Sequence, residues 1–213
     1  MNNNNGRLSV VAASSSGLPN KSYVMSPVDF DNDGNLDVFC VPQGIYRKNG
    51  NGKFEATGEL SWEDSEDLLL WQATASWFDA DCDGDMDVVM SVQKRYGERI
   101  YWRVFGNPKS SRSADVLFFK NQIAGGHWLQ VDLLGRDQNT SAIGSRVILR
   151  SGDKVELQQV GQFDGAKMGM GHHRLYFGLG DNKTVDSLSV FWADGSTTEL
   201  ESIPADQRII VSP

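Results

Sequence analysis

Short apolar runs, separated by acidic and glycine-containing turns, recur along this chain. The runs 36–41 and 86–92 are rich in β-branched residues, and the stretch 126–135 alternates apolar with polar positions as a half-buried strand does. Further candidate strands are the segments 142–149, 153–160, 174–177, 187–192 and 208–211. Asp194-Gly195 is a signal for a tight hairpin. The pattern therefore predicts an all-β protein with no long helix.

The first two of these runs each follow an acidic loop with the template D-x-D-x-D-G-x-x-D. Loop 1 spans 29–37 and loop 2 spans 79–87, so the loops begin 50 residues apart, and together they place nine carboxylates in 18 residues. Carboxylates at this density repel one another unless a hard cation neutralises them. Ca²⁺ is suited to this, because it takes six to eight oxygen ligands in a flexible shell. Solvated acidic turns without a metal are the alternative interpretation.

The template predicts one Ca²⁺ per loop, with carboxylates at positions 1, 3, 5 and 9 and the backbone carbonyl of position 7 as ligands. The predicted ligands are Asp29, Asp31, Asp33, Asn35 and Asp37 in loop 1, and Asp79, Asp81, Asp83, Asp85 and Asp87 in loop 2. An EF-hand would need a bidentate Glu at the twelfth position of each loop. Cys40 and Met90 occupy those positions, so the EF-hand interpretation fails.

A D-x-D-x-D-G-x-x-D loop that runs straight into a strand resembles the FG-GAP/VCBS repeat of β-propellers. Residues 45–55 (IYRKNGNGKFE) are similar to the hairpin that separates such repeats, and residues 4–9 are similar to the end of that hairpin. The resemblance implies two propeller-type blades over residues 1–120. Because a propeller has four to eight blades, we expect Met1 to start inside a repeat. We also expect the open blade face to favour self-association.

The second half of the chain resembles the ASPIC/UnbV domain, which follows VCBS repeats in secreted proteins. The resemblance rests on HWLQVDLLG at 127–135, NTSAIGSRV at 139–147, RLYFGLGD at 174–181 and VDSLSVFWADG at 185–195. It implies a small β-sandwich or barrel over residues 121–213, and it brings no assigned chemistry. Both resemblances imply an extracellular, cell-surface or periplasmic location. Since the start inside a repeat points to truncation, we do not read the missing signal peptide as a cytoplasmic location.

Charge and composition restrict the possible partners. The net charge is −8 and no Lys/Arg cluster is present, which argues against a nucleic-acid partner. No apolar run approaches the roughly 20 residues of a membrane span. Cys40 and Cys82 are too few for a disulfide scaffold, and their different places relative to the two loops predict free thiols.

The candidate catalytic constellations are weak. Paired carboxylates could indicate a glycosidase, but that mechanism needs one neutral acid in an apolar pocket, whereas calcium would lower the pKa of these aspartates. Residues 168–173 (MGMGHH) offer thioether and imidazole ligands for copper, with an ordinary variable loop as the favoured interpretation. The six tryptophans are expected in cores, with a sugar-stacking platform as the alternative.

These observations predict a non-enzymatic extracellular protein that uses structural Ca²⁺ for adhesion or ligand recognition, with a protein or a glycan as partner. One alternative is the non-catalytic C-terminal part of a secreted carbohydrate-active or redox enzyme. Another is a calcium-dependent filament or matrix subunit whose blade edges are completed by neighbouring chains.

Overall fold

A computed structural model describes residues 12–61, 68–96, 111–123, 125–161 and 173–213 of the chain. A single four-residue helix, α1 (Ala13–Ser16), precedes the first strand within these residues, and all other regular structure there is β. No helix among the described residues is long and apolar enough to cross a membrane. The predicted all-β class is confirmed.

Blade 1 is a four-stranded antiparallel meander in the order β1-β2-β3-β4. Its strands are β1 (Val24–Val28), β2 (Asp37–Val41), β3 (Gly44–Lys48) and β4 (Phe54–Ala56). Alternation explains β1, where Val24, Ser26 and Val28 are buried and the residues between them are exposed. Loop 1 connects β1 to β2, and the hairpin predicted within residues 45–55 joins β3 to β4.

Blade 2 has three antiparallel strands in the order β5-β6-β7. They are β5 (Leu68–Phe78), β6 (Asp87–Tyr96) and β7 (Ser111–Phe119), and loop 2 connects β5 to β6. The two blades share one hydrophobic core, in which the rings of Phe39 and Trp77 meet edge to face with centroids 5.6 Å apart. Loops 1 and 2 thus leave neighbouring sheets at equivalent points.

The C-terminal domain is built from two sheets around a second core. One sheet has the order β10-β9-β12-β13, and the other has the order β11-β8-β14, with β14 parallel to β8. The strands are β8 (His127–Leu133), β9 (Arg146–Ser151), β10 (Lys154–Gln159), β11 (Leu175–Gly180), β12 (Thr184–Phe191), β13 (Thr197–Pro204) and β14 (Gln207–Val211). Within the described residues these sheets do not close into a barrel, and of the two predicted forms the two-sheet arrangement matches the sandwich.

The sequence pattern located most of these strands within a few residues. It missed β1, β5, β7 and β13, and it placed the start of β9 at 142, where the chain forms a turn instead. The predicted domain boundary at 121 stays a prediction; β7 ends at Phe119 and β8 begins at His127. The hairpin end predicted at residues 4–9 lies outside the described part of the chain, as does most of the candidate copper site at 168–173.

Candidate metal sites

Loop 1 is folded around the carboxylate of its first aspartate. The backbone N–H groups of Asp33 and Gly34 donate to the two oxygens of Asp29, at 3.1 and 2.9 Å. Asn32 and Gly34 make this possible by adopting left-handed backbone conformations, with φ of 55° and 79°. The loop therefore turns back on itself and directs its carboxylates inward.

Loop 2 repeats this arrangement position by position. The backbone N–H groups of Asp83 and Gly84 donate to Asp79 at 3.2 and 3.0 Å. Cys82 and Gly84 hold the left-handed conformations here, with φ of 63° and 96°. Two segments 50 residues apart in sequence thus form the same local structure.

In each loop the carboxylates at positions 1, 3 and 9 converge. Asp29, Asp31 and Asp37 each present one oxygen within 4.8 Å of the others. Asp79, Asp81 and Asp87 form the matching cluster in loop 2. Position 9 is the most enclosed in both loops, since Asp37 and Asp87 are 0% and 1% exposed.

The carboxylates of Asp33 and Asp83 at position 5 are not members of these clusters. The carboxylates at position 5 turn toward their own loop: Asp33 accepts from the backbone N–H of Asn35 at 2.7 Å, and Asp83 accepts from that of Asp85 at 3.1 Å. Coordination by Asp33, Asp83 and the carbonyls of Asn35 and Asp85 stays a prediction.

A basic residue lies at an equivalent position beside each loop, and sequence reasoning did not identify either one. Arg47 forms ion pairs with Asp31 and Asp33, and Lys120 forms ion pairs with Asp81 and Asp83. Each of these basic residues lies at or just past the end of a strand, and that strand pairs with the strand that follows the loop.

The residue that follows each cation contacts the aspartate at position 9. The backbone N–H of Lys48 donates to Asp37, and that of Asn121 donates to Asp87, both at 2.7 Å. The sequence signal for these contacts is a basic residue and a nearby Asn at the strand end, Arg47-Lys48-Asn49 in blade 1 and Lys120-Asn121 in blade 2. The signal can be recognised only once the strand pairing is known.

Burial makes ionisation of several loop carboxylates costly. It raises the pKa of Asp29 to about 8, with added repulsion from Asp33 and Glu156, and it raises the pKa of Asp37 to about 6. In loop 2, burial and neighbouring carboxylates raise the pKa of Asp85 to about 6, whereas a hydrogen bond from Lys120 lowers that of exposed Asp81. A bound cation would favour the charged forms.

The donor set fits a hard cation such as Ca²⁺. Each cluster consists of carboxylate oxygens, the ligand type that Ca²⁺ takes in flexible numbers. The Oδ2 atom of Asp37 is buried without a hydrogen bond of standard geometry, so it remains available as a ligand.

Cys82 is exposed at position 4, and both cysteines are free thiols, as predicted.

The second domain reaches loop 2 through Gln130, which sequence reasoning also missed. This side chain on β8 is 2% exposed, and its Nε2 atom donates to Oδ2 of Asp79. Its Oε1 atom accepts a hydrogen bond at 3.2 Å from the guanidinium of Arg174, the residue that precedes β11. An alternating strand gave no sign that this one polar residue would face the metal loops.

Comparisons with known families agree with this arrangement. Residues 29–90 match the family model of the FG-GAP-like repeat, and residues 135–213 match that of ASPIC and UnbV. The first match contains both aspartate loops, and the second contains strands β9 to β14. No curated protein matches the chain.

Proposed function

Because the chain is an FG-GAP repeat protein with a C-terminal ASPIC/UnbV domain, we propose that it is a non-enzymatic recognition module whose two loops each bind a structural Ca²⁺. FG-GAP repeats are typical of extracellular or periplasmic proteins, so calcium is the cation proposed. The observation that carries the proposal is the pair of matching clusters, each with three convergent carboxylates. Calcium there ties the ends of two strands together and takes no part in a reaction.

The positions of the shifted pKa values support a structural role. Among the described residues, the raised carboxylates are loop members or, as with Glu156, interact electrostatically with one. A catalytic acid would need a neutral carboxyl at the reacting centre, whereas bound calcium would hold these groups ionised. The raised values of Asp29 and Asp37 therefore belong to carboxylates of the proposed loop 1 site.

The proposed partner is a protein or a glycan. An open cleft of about 880 Å³ lies between blade 1 and the C-terminal domain, and its wall combines charges of both signs, including Arg47, Lys154, Asp153 and Asp181. Such a surface suits polar ligands rather than a polyanion. Binding to a glycan array, with and without calcium, tests recognition, and turnover of a bound glycan would instead favour the enzyme alternative.

Calorimetry tests the metal sites directly. Titration of Ca²⁺ into the metal-stripped chain should give two bound ions, and Asp31→Ala should remove one of them. Glu201→Ala, which removes an exposed carboxylate on β13, should retain both. Absence of calcium uptake by the unmutated chain would overturn the proposal.

A further inference from the structure

The two loops lie side by side and together face the C-terminal domain. The side-chain Nδ2 of Asn32 in loop 1 donates to the carbonyl of Gly84 at 3.1 Å and to the carboxylate of Asp85 at 3.0 Å in loop 2. In the C-terminal domain, strand β11 contacts loop 1 and its paired strand β8 contacts loop 2. The loops are therefore one continuous surface rather than two isolated sites.

Loop 1 binds the C-terminal domain through three successive backbone carbonyls. The N–H of Gly126 donates to the carbonyl of Asp31, and the N–H of Gly180 donates to that of Asn32, both at 2.8 Å. The ammonium of Lys154 on β10 donates to the next carbonyl, that of Asp33. These acceptors are backbone atoms, so their positions depend on the conformation of the loop and not on side-chain rotamers.

The two loops are closely packed against the C-terminal domain. A Cβ atom added to Gly178 of β11 would lie 1.9 Å from the carboxylate of Asp29. A Cβ atom added to Gly84 in loop 2 would lie 2.0 Å from the ring of Trp128 on β8. Trp128 and Gly178 are direct cross-strand partners, so one pair of strands is fitted against both loops.

Gln130 connects the domain to the predicted ligand at position 1 of loop 2. It is buried, and its carboxamide bridges Arg174 and the carboxylate of Asp79. Hydrogen-bonded partners of metal-ligating carboxylates orient the ligand, and their loss commonly weakens metal binding. Gln130 is therefore placed to orient a ligand from across the domain interface.

We propose that calcium binding by the two loops and docking of the C-terminal domain on the blades are coupled, with Gln130 as a positioning residue for the loop 2 site. The inference rests on the calcium sites of the proposed function. Without the ion, the converging carboxylates must either take up protons or repel one another, and both costs destabilise the loop conformation that presents the three carbonyls. Coupling is reciprocal, so calcium strengthens docking and docking raises calcium affinity by the same factor.

Amide exchange at two glycines reads out docking in the unmodified chain. The N–H groups of Gly126 and Gly180 form the hydrogen bonds between the domain and loop 1. Removal of calcium should speed their exchange by about 10-fold or more. The N–H groups of Gly144 and Gly195, bonded to Val160 and Trp192 inside the C-terminal domain, should change little. Equal protection of Gly126 and Gly180 with and without calcium would overturn the coupling.

A variant tests Gln130 itself. Gln130→Met keeps the length of the side chain but removes its donor, and it should weaken one of the two calcium sites by about 10-fold while sparing the other. Gln207→Met is the matched control, because Gln207 lies in the same sheet and bonds the carbonyl of Pro204. Two sites of unchanged affinity in Gln130→Met would overturn the positioning role, whereas no calcium uptake by the unmutated chain would overturn the proposed function instead.

Discussion

Loops 1 and 2 share a template and a backbone conformation, but the protein satisfies their carboxylates to different degrees. In loop 2, Asp79 accepts hydrogen bonds from two backbone N–H groups and Gln130, and both oxygens of Asp87 accept from the backbone of Ala80 and Asn121. In loop 1, Asp37 accepts one backbone bond of standard geometry, from Lys48, and its other oxygen lacks one.

Exposure widens the contrast between the loops. Asp31 is 4% exposed whereas its counterpart Asp81 is 42% exposed, so water can solvate the loop 2 carboxylate when no cation is bound. The shared template sets which oxygens converge, and the surroundings set how much each loop depends on an ion. We therefore expect loop 1 to rely on calcium more strongly than loop 2.

Removal of one ligand from each loop should give the largest difference. In excess calcium, Asp31→Ala should lower the melting temperature more than Asp81→Ala, because loop 1 leaves a buried oxygen of Asp37 without a donor of standard geometry once the ion is lost. A lost site costs about 3 kcal/mol at calcium roughly 100 times its dissociation constant. Differential scanning calorimetry measures both variants, and after metal removal the two melting temperatures should converge toward that of the unmutated chain. Equal losses in calcium would show that the surroundings do not distinguish the loops.

Closing the space beside loop 1 should have the next largest effect. Gly178→Ala places a methyl group against Asp29 and the backbone of Asn32, and overpacking of this kind costs about 1–3 kcal/mol. Calcium calorimetry should show the loop 1 site weakened more than the loop 2 site, which changes only through the coupling of both sites to docking. Gly50→Ala is the control, because nothing lies within 4 Å of the added atom. Equal weakening of both sites would contradict a local effect.

The pH dependence of the metal-stripped chain should sharpen the contrast further. Burial raises the pKa of Asp29 from 3.8 to about 8 in the folded state. The folded chain then holds the proton that the unfolded chain has lost, so stability should fall as pH rises from about 4 to about 8. Thermal unfolding at pH 5 and pH 8 measures this, and saturating calcium should reduce the difference. Asp29→Asn should also reduce it, whereas an unchanged slope in that variant would assign the effect to other groups.

The sequence contained the loops in full but little of what surrounds them. Spacing alone predicted that Asp29, Asp31 and Asp37 converge, because these residues lie within one turn-forming segment. Lys120, Gln130 and Gly178 contribute through contacts with residues 39 to 149 positions away, and such contacts depend on how separate sheets pack. Alternation in β8 marked Gln130 only as a polar residue, and no local pattern indicated that its side of the strand would be covered by a blade.

Blade 2 also presents an exposed face that the sequence pattern did not locate. Val116 and Phe118 on β7 are 71% and 52% exposed, although large apolar side chains are usually buried. The predicted self-association through open blade surfaces stays a prediction. Sedimentation of Phe118→Lys, compared with that of the unmutated chain, tests whether self-association uses this face.

The smallest expected effect is a difference in reactivity between the two cysteine thiols, which can be measured without changing a metal ligand. Cys40 lies on β2 directly after loop 1, is 0% exposed, and burial raises its pKa to about 11. At pH 8 its thiolate fraction is therefore about one in a thousand, and the thiolate is the reactive form. Cys82 is exposed within loop 2.

A thiol reagent should accordingly modify one cysteine in the folded, calcium-bound chain and two after unfolding. In Cys82→Ser, which isolates Cys40, removal of calcium should accelerate modification, because loss of a ligand bound to the native state raises the population of open states. Rapid reaction of both thiols in calcium would show that blade 1 is open beside loop 1, which would contradict the enclosed loop 1 site.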